Sequence, residues 1–513
     1  MWTRVLFLCV VVGGSTFLQP PGSFDVIIHR ARVMDGRGNP WVRADIGIRG
    51  DRIVAVGKLD GATATTTIDA ADRVLAPGFI DVHSHAGESL TREALRPAAP
   101  MLAQGVTTIV VNPDGGGPVD LAAQRRALEE GGIGVNVGLL IGHGSVRRSV
   151  LGLERRDPRP DELARMEQLV SRAMDDGAFG LSSGLFYSPG RFARTEEVIA
   201  LARVAGARGG VYTSHVRDES DYSAGVVAAV DEVIRIADEG HLRGIVTHMK
   251  ALGPDNWGKS STLLAHIDAA RARGIEVFAD QYPYDASSTS LQAALLPDGD
   301  ATATEQREAI ATENLRRRGG ADSIVIAFCK QDRSLEGKSL AQIAAERKVA
   351  PVAAALQIIE AGNASIVSFN MSEQDIEAIM RAEYTMASSD GGLVEPGVGM
   401  PHPRNNGSFA RRLARYVRER HVVSLEFTLR SMTSLPALVF DMKDRGVIRE
   451  GAIADLVIFD PATIQDRATY REPHQLATGV SWVLVNGQVA MKEGTLTGIR
   501  AGKVLRRSVP IAN

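Results

Sequence analysis

Cysteine is nearly absent from this chain of 513 residues, which contains only Cys9 and Cys329. Two cysteines exclude a disulfide-rich scaffold and a zinc module built from several cysteines. The chain also lacks a large excess of charge of either sign, because 58 Lys and Arg residues nearly balance 61 Asp and Glu residues and leave a net charge of −3. Without a basic excess, or a basic stripe with interleaved aromatic residues, we expect no nucleic acid partner.

Long hydrophobic runs are scarce at the N-terminus as well. The apolar run at residues 5–12 is too short for a membrane span, which needs about 20 apolar residues. It follows Arg4 and precedes small residues and two prolines, which is typical of a short export signal. We therefore predict a signal peptide at residues 1–22 and export to the periplasm or the medium. The alternative is a buried first strand in a cytoplasmic protein, because no A-x-A cleavage site is visible.

The remaining chain shows three kinds of sequence pattern. Residues 23–75 and 441–513 alternate apolar and polar positions in short runs broken by Gly, Asp or Asn, which predicts one β-sandwich drawn from both chain ends. Residues 76–440 alternate apolar strands with helical stretches, which is typical of parallel βα units. The predicted fold class is therefore α/β, with a (β/α)8 barrel of the TIM type. A polar, helix-rich stretch at about 290–345 breaks this rhythm and predicts an insertion over the barrel mouth.

Histidines end several of the predicted barrel strands. His83 and His85 are two residues apart, so on a strand they face the same side. A lone H-x-H pair is usually coincidental, but His215 and His248 also end strands. Because a barrel directs all its strand ends to one mouth, these four side chains are expected to meet there and to bind a metal ion.

Asp390 ends the apolar segment YTMASSD in the same way. Imidazole and carboxylate ligands suit Zn²⁺, and zinc lowers the pKa of its bound water to about 7. Asp390 is then the predicted general base, which accepts the proton of that water and passes it to a leaving amine. The alternative is a structural role, with Asp390 capping a helix that opens at SSDGG.

Together these residues resemble the amidohydrolase superfamily, and more specifically the D-aminoacylase (N-acyl-D-amino-acid deacylase) family. The resemblance rests on HSH after APGFID, on His215, His248 and Asp390, and on further segments along nearly the whole chain. Those segments are GAFGLSSGLFYSPG, YTSHVRDES, THMKALG, DQYPYDASST, HPRNNGSF and GVIREGAIADLVIFDP. The resemblance implies a metal-bearing (β/α)8 barrel with a β-sandwich from both chain ends.

The family's metal ligands carry over with one difference. The resemblance implies that His215 and His248 bind a tight zinc ion, that His83 and His85 line a second, weaker site, and that Asp390 is catalytic. A cysteine often follows the family's G-V-T-T, whereas GVTTIVVNPDGGG places Asp114 there. We expect Asp114 to be a ligand, although NPDGGG also reads as a turn. A carboxylate is harder than a thiolate, so the number of bound metals is left open at one or two.

A lysine is missing where related enzymes have one. Hydantoinases and dihydroorotases resemble this superfamily but use a carboxylated lysine between two metals. The corresponding segment here, AFGLSSG, offers only Ser182 and Ser183. Hydrolysis of a cyclic amide is therefore disfavoured.

The resemblance also implies substrate contacts for an N-acyl amino acid. A guanidinium binds a carboxylate bidentately, and Arg404 in HPRNN is the predicted partner of the α-carboxylate. The other predicted contacts are Lys250, Tyr282 and Ser288, with Tyr187 beside the acyl or side-chain pocket. A surface salt bridge for Arg404 and core packing for the tyrosines are the structural alternatives. His143, which also ends a strand, is expected either to support the site from behind the residues that contact substrate or metal, or to order a loop.

These observations predict a zinc-dependent hydrolase of linear amides that converts N-acyl-D-amino acids to a carboxylic acid and a D-amino acid. The expected partner is a small N-acylated amino acid or dipeptide-like substrate, and the sequence indicates no oligomeric state. The alternatives are a dipeptidase, another amidohydrolase with the same metal site, or a binding protein without activity. The intact set of histidines with Asp390 argues against the last.

Overall fold

The structure is a computed structural model that describes residues 23–297 and 304–507. The predicted signal peptide and Cys9 lie outside the described residues. Cys329 is buried and forms no disulfide within the described residues. No helix in the described ranges is long and apolar enough to cross a bilayer.

Eight parallel strands form the central barrel, and the third consists of two consecutive segments. In chain order the barrel strands are Phe79–Ser84, Val106–Val111, Asn136–Leu139 with Ile141–Gly142, Gly180–Gly184, Val211–His215, Gly244–Val246, Val277–Gln281 and Thr385–Ala387. The eighth strand closes on the first, because Asp390 N donates to His83 O (2.9 Å) and His85 N donates to Gly391 O (2.7 Å). The expected barrel is confirmed.

Amphipathic helices pack on the outside of the barrel and share its core. In the helix Pro160–Asp175, Met166, Val170 and Met174 recur at helical spacing and are buried. The other outer helices are Ala99–Leu102, Leu121–Glu129, His143–Leu151, Thr195–Gly206, Val226–Gly240, Ser260–Ala272, Glu373–Met380, Arg404–Arg411, Leu425–Met432 and Ser434–Val439, with a π-helix at Arg412–Glu419. Short 3-10 turns lie at Ser89–Thr91, Gly190–Phe192, Pro254–Asn256, Ala321–Ser323 and Arg333–Leu335.

Both chain ends build the second domain, as expected. Its strands are Ser23–Val33, Val42–Arg49, Arg52–Gly57, Thr63–Asp69, Val74–Pro77, Leu456–Phe459, Val480–Val485, Gln488–Lys492 and Thr495–Leu496. Hydrogen bonds join all nine into one continuous sheet. The strand Leu456–Phe459 lies antiparallel between Val74–Pro77 and Val480–Val485, and thereby joins the two ends of the chain.

An inserted unit separates the seventh and eighth barrel strands. Its antiparallel sheet pairs Ser365–Phe369 with both Ala286–Ser290 and Ile324–Phe328. Its helices are Leu291–Leu295, Thr304–Arg317, Leu340–Arg347 and Pro351–Glu360. The unit has its own apolar cluster, which includes Leu295, Ile326, Ile343 and Ile366. It thus extends over residues 286–369 rather than the expected 290–345, because its sheet recruits strands on both sides of the helices.

Candidate metal centre

The five predicted metal ligands and the predicted catalytic Asp390 come from five different barrel strands or the residues that follow them. His83 lies in the first strand and His85 directly after it, while His215 is the last residue of the fifth. Asp114, His248 and Asp390 follow the second, sixth and eighth strands, with φ angles of 54°, 35° and 47°. Positive φ is uncommon for residues other than glycine, and it concentrates at functional sites where the surrounding fold holds the backbone.

These side chains form two groups of potential metal donors that share Asp114. One group is His83, His85, Asp114 and Asp390, and the other is Asp114, His215 and His248. In the first group His83 Nε2 lies 3.4 Å from Asp114 Oδ1, and His85 Nε2 lies 3.0 Å from Asp390 Oδ1. In the second, His248 Nε2 lies 2.9 Å from His215 Nδ1 and 3.6 Å from Asp114 Oδ1.

The donors fit a divalent metal. Ligand atoms bound to tetrahedral zinc at about 2.0–2.2 Å lie about 3.4 Å from one another, which is close to the spacing seen here. His83 Nε2 and Asp114 Oδ1 are buried without a hydrogen-bond partner among the described residues. Buried polar atoms are costly unless they are satisfied, and a metal ion would satisfy them. Because Asp114 belongs to both groups, the site has donors for one ion or for two.

The electrostatics of the centre favour a cation. Burial opposes ionisation of Asp114, but His83 and its neighbours hold the pKa of this carboxyl well below its usual range. Burial also opposes protonation of His85, yet Asp114 and Asp390 raise its pKa to about 9. Burial lowers the pKa of His215 to about 4, so this imidazole is neutral and ready to coordinate. The field that attracts a proton to His85 also attracts a dication, which would displace that proton.

Glu219 was missed by sequence reasoning. Its Oε1 lies 3.1 Å from His248 Nδ1 and forms a close ion pair with Lys250. Burial opposes ionisation of Glu219, but Lys250 keeps its pKa well below the usual range. A carboxylate on the far nitrogen of a metal-binding histidine fixes the ring's orientation and tautomer. The available signal was an acidic residue four positions after His215, which spacing alone did not single out.

Three of the four predicted carboxylate contacts, Lys250, Tyr282 and Arg404, lie side by side. Tyr282 is buried. The Arg404 guanidinium lies 4.8 Å from the centroid of its ring, and the Lys250 ammonium lies 5.6 Å from the same centroid. Arg404 is itself 6% exposed and donates from Nη1 to Asp390 Oδ2 (2.7 Å). The alternative of a surface salt bridge for Arg404 is therefore wrong, whereas its role toward substrate stays a prediction.

A cavity of about 740 Å³ gathers nearly all of the predicted site residues. Those lining it are His85, Asp114, Tyr187, His215, His248, Lys250, Tyr282, Ser288, Asp390 and Arg404, with His83 buried beneath. The inserted unit forms one wall through Ser287, Arg318 and Phe328. His143 lies elsewhere, with Nε2 2.8 Å from Glu197 Oε1, where it holds two outer helices together.

The fourth barrel strand carries no lysine. Ser182 Oγ donates to Asn112 O (2.6 Å) and accepts from Gly115 N (3.2 Å), while Ser183 Oγ lies 2.7 Å from Tyr212 Oη. Both hydroxyls are thus occupied within the barrel. The described strand contains no residue that could become a carboxylated bridge between metals.

A metal-donor cluster at the carboxyl ends of barrel strands, with an aspartate beside it, defines a metal-dependent hydrolase. Comparison with known proteins makes this more specific. Residues 66–491 match the model of the Amidohydrolase family, and the chain belongs to this family.

Several relatives share almost the full length of the chain. An N-acyl-D-glutamate deacylase of Alcaligenes xylosoxydans xylosoxydans is 38% identical over 510 residues, covering 95% of this chain and 98% of its own. A D-aminoacylase of the same organism is 36% identical, covering 94% of this chain and 98% of its own. The crystal structure of the Bordetella bronchiseptica N-acyl-D-glutamate deacylase, with zinc and a phosphonate mimic of the tetrahedral intermediate, has a TM-score of 0.83. It is 36% identical and covers 94% of this chain and 100% of its own.

Proposed function

We propose that this protein is a zinc-dependent deacylase that hydrolyses the amide bond of N-acyl-D-amino acids. The observation that carries the proposal is the juxtaposition, in one cavity, of the shared donor groups around Asp114 with the Arg404–Asp390 pair. The relatives that act on N-acyl-D-amino acids agree with it in both sequence and fold.

Asp390 is the proposed proton carrier. Arg404 binds its Oδ2, which leaves Oδ1 directed at the metal donors, 3.0 Å from His85 Nε2. Bound zinc supplies Lewis acidity and a water of lowered pKa. Asp390 accepts a proton from that water as the water oxygen adds to the acyl carbon. It then donates this proton to the amide nitrogen as the C–N bond breaks. The products are a carboxylic acid and a free amino acid, so one water is consumed per bond.

The α-carboxylate would lie against Lys250, Tyr282, Ser288 and Arg404. Two of these groups already face a carboxylate, since Lys250 pairs with Glu219 and Arg404 with Asp390. Each cation has further donors to offer, because an ammonium has three and a guanidinium five. Substrate would therefore add to these pairs rather than replace them.

A substrate panel with zinc analysis tests the proposal. Purified protein is assayed on matched N-acetyl-D- and N-acetyl-L-amino acids and on dipeptides, and zinc is counted on the same preparation. We expect hydrolysis of D substrates only, with one or two zinc ions per chain. Preferential cleavage of dipeptides or L substrates would contradict the proposal.

Asp390→Asn separates catalysis from metal binding. We expect turnover to fall by at least about 10²-fold, the lower end for loss of a general acid–base. The donor group of Asp114, His215 and His248 does not include Asp390, so at least one metal ion should remain bound. Full activity in this variant would refute the assigned role.

Export is also proposed, on the basis of residues 1–22 alone. N-terminal sequencing of protein recovered from the periplasm or the medium tests it, and a start at Met1 would contradict cleavage.

A further inference from the structure

One cation in the cavity has no anionic partner. The lining contains four side chains of Arg or Lys, and three of them lie against a carboxylate. These pairs are Arg92 with Glu395, Lys250 with Glu219, and Arg404 with Asp390. The fourth, Arg318, has no carboxylate within ion-pair distance among residues 23–297 and 304–507.

Arg318 is buried nonetheless, with 3% of its surface exposed. It follows the inserted helix Thr304–Arg317 and reaches the cavity. Its Nη1 donates to the neutral amide oxygen of Asn370 (3.3 Å) when that amide faces it, and its Nε has no partner. Burying a charged group without a counter-ion is expensive, so this guanidinium points to an anion that arrives with the ligand.

A second unsatisfied donor lies beside it. The Arg318 guanidinium carbon is 5.8 Å from the ring centroid of Tyr222, which also lines the cavity. The Tyr222 hydroxyl is buried and lies close enough to the Arg318 guanidinium to accept from it, so its own proton has no acceptor among the described residues. A guanidinium and a phenol directed at one space form a suitable site for a carboxylate, through charge-assisted hydrogen bonds.

This pair borders the proposed substrate site. Asn370 links Arg318 to Ser287, whose Oγ lies 2.9 Å from the amide oxygen, and Ser287 precedes the predicted carboxylate contact Ser288. On the other side, Tyr222 packs against Phe186 with ring centroids 5.6 Å apart. Phe186 in turn lies 5.8 Å from the His215 ring. The pair therefore faces a substrate that is held between the metal donors and the inserted unit.

We propose that Arg318 and Tyr222 form a subsite for a second carboxylate, that of the amino acid side chain. The preferred substrates are then N-acyl-D-glutamate or N-acyl-D-aspartate rather than neutral amino acids. This inference rests on the proposed deacylase function and specifies its substrate class. Experiment distinguishes this role of Arg318 from two others. These are contact with the α-carboxylate and a purely structural link between the inserted unit and the barrel.

The test compares an acidic substrate with its neutral isostere. For the unaltered protein, kcat/KM on N-acetyl-D-glutamate should exceed that on N-acetyl-D-glutamine by at least about tenfold, as expected for hydrogen bonds to a charged group. Arg318→Met should reduce this ratio to near one, mainly by raising KM for the glutamate substrate. Tyr222→Phe should reduce it less, because the guanidinium remains.

Arg316→Met is the matched control. Arg316 lies two residues before Arg318, in the last turn of the helix Thr304–Arg317, but outside the cavity lining, and it pairs with Asp255 and Glu313. Its substrate ratio should equal that of the unaltered protein. Equal losses on both substrates in Arg318→Met would overturn the proposal, since an α-carboxylate or structural role predicts that result.

The substrate assays separate failure of the deacylase function from failure of the acidic subsite. If no N-acetyl-D-amino acid is hydrolysed, the proposed function is wrong. If D-glutamine or D-methionine derivatives are hydrolysed as well as the D-glutamate derivative, the deacylase function stands and the acidic subsite is wrong.

Discussion

Asp114 places one carboxylate between two sets of imidazoles. Its Oδ1 lies 3.4 Å from His83 Nε2 and 3.6 Å from His248 Nε2, while its Oδ2 lies 3.4 Å from His85 Nε2. Oδ1 of Asp114 therefore faces both donor groups, while Oδ2 gives the group of His83 and His85 a second carboxylate oxygen. A thiolate offers a single donor atom, but a softer one that zinc prefers.

Asp114→Cys therefore tests what the carboxylate contributes. We expect zinc to bind more tightly in the variant, by about tenfold if the thiolate adds about 1.4 kcal/mol. Competition with a chromophoric chelator measures the affinity. Asp114→Asn is the control, and it should bind zinc more weakly than the unaltered protein. A cysteine variant no tighter than the asparagine variant would show that position 114 is not a ligand.

Side chains were predictable where spacing carried the signal. His83 and His85 share a strand face, and His215 ends an apolar strand, so their convergence followed from strand geometry. Glu219 and Arg318 had no such signal. Glu219 matters because it contacts Lys250 across two loops, and Arg318 because it lacks a carboxylate neighbour. Both properties exist only in the folded chain.

Strands and helices were predictable where the pattern of apolar and polar residues within the element itself indicates its type. The barrel strands read as apolar runs because they are buried on both faces. The inserted sheet did not, since its strand Ala286–Ser290 is ASSTS and pairs with Ser365–Phe369, far along the sequence. Short polar strands joined at long range leave no period to detect, which is why the boundaries of this unit were underestimated.

Close packing between elements also positions the metal centre. Gly184 ends the fourth barrel strand, and a Cβ there would lie 2.3 Å from the backbone oxygen of Asp114. Backbone atoms cannot yield as a flexible side chain does. Only glycine lets the turn that carries Asp114 approach the strand so closely.

Gly184→Ala should therefore displace Asp114 and reduce bound zinc. Overpacking of this kind costs about 1–3 kcal/mol of folding free energy. Metal analysis and thermal unfolding measure the two effects. Gly392→Ala is the control, because its new methyl group would lie 3.8 Å from His85 Cβ, an ordinary contact. If Gly184→Ala retained full zinc occupancy, the turn would not depend on this contact.

At the scale of the whole molecule, a buried polar cluster joins the barrel to the domain formed by both chain ends. Asn136 in the third barrel strand donates to Asp455 Oδ2 (3.0 Å) and accepts from Asn486 Nδ2 (2.7 Å). Asp455 also accepts from Asn486 N (2.7 Å) and pairs closely with Arg445. The carboxylate of Asp455 is thus the acceptor for three separate parts of the chain.

Asp455→Ala should destabilise both domains together. It leaves the Arg445 guanidinium and the Asn136 amide without their acceptor in a buried site, and breaking one side of a buried pair costs about 3–5 kcal/mol. Urea unfolding followed by tryptophan fluorescence and by residual activity measures this loss, and the two midpoints should fall in parallel. Asp444→Ala removes a half-exposed partner of Arg52, 3.1 Å away, and should cost no more than about 1 kcal/mol. If activity survived in Asp455→Ala at urea concentrations where the fluorescence transition is complete, the barrel would fold independently of the chain ends.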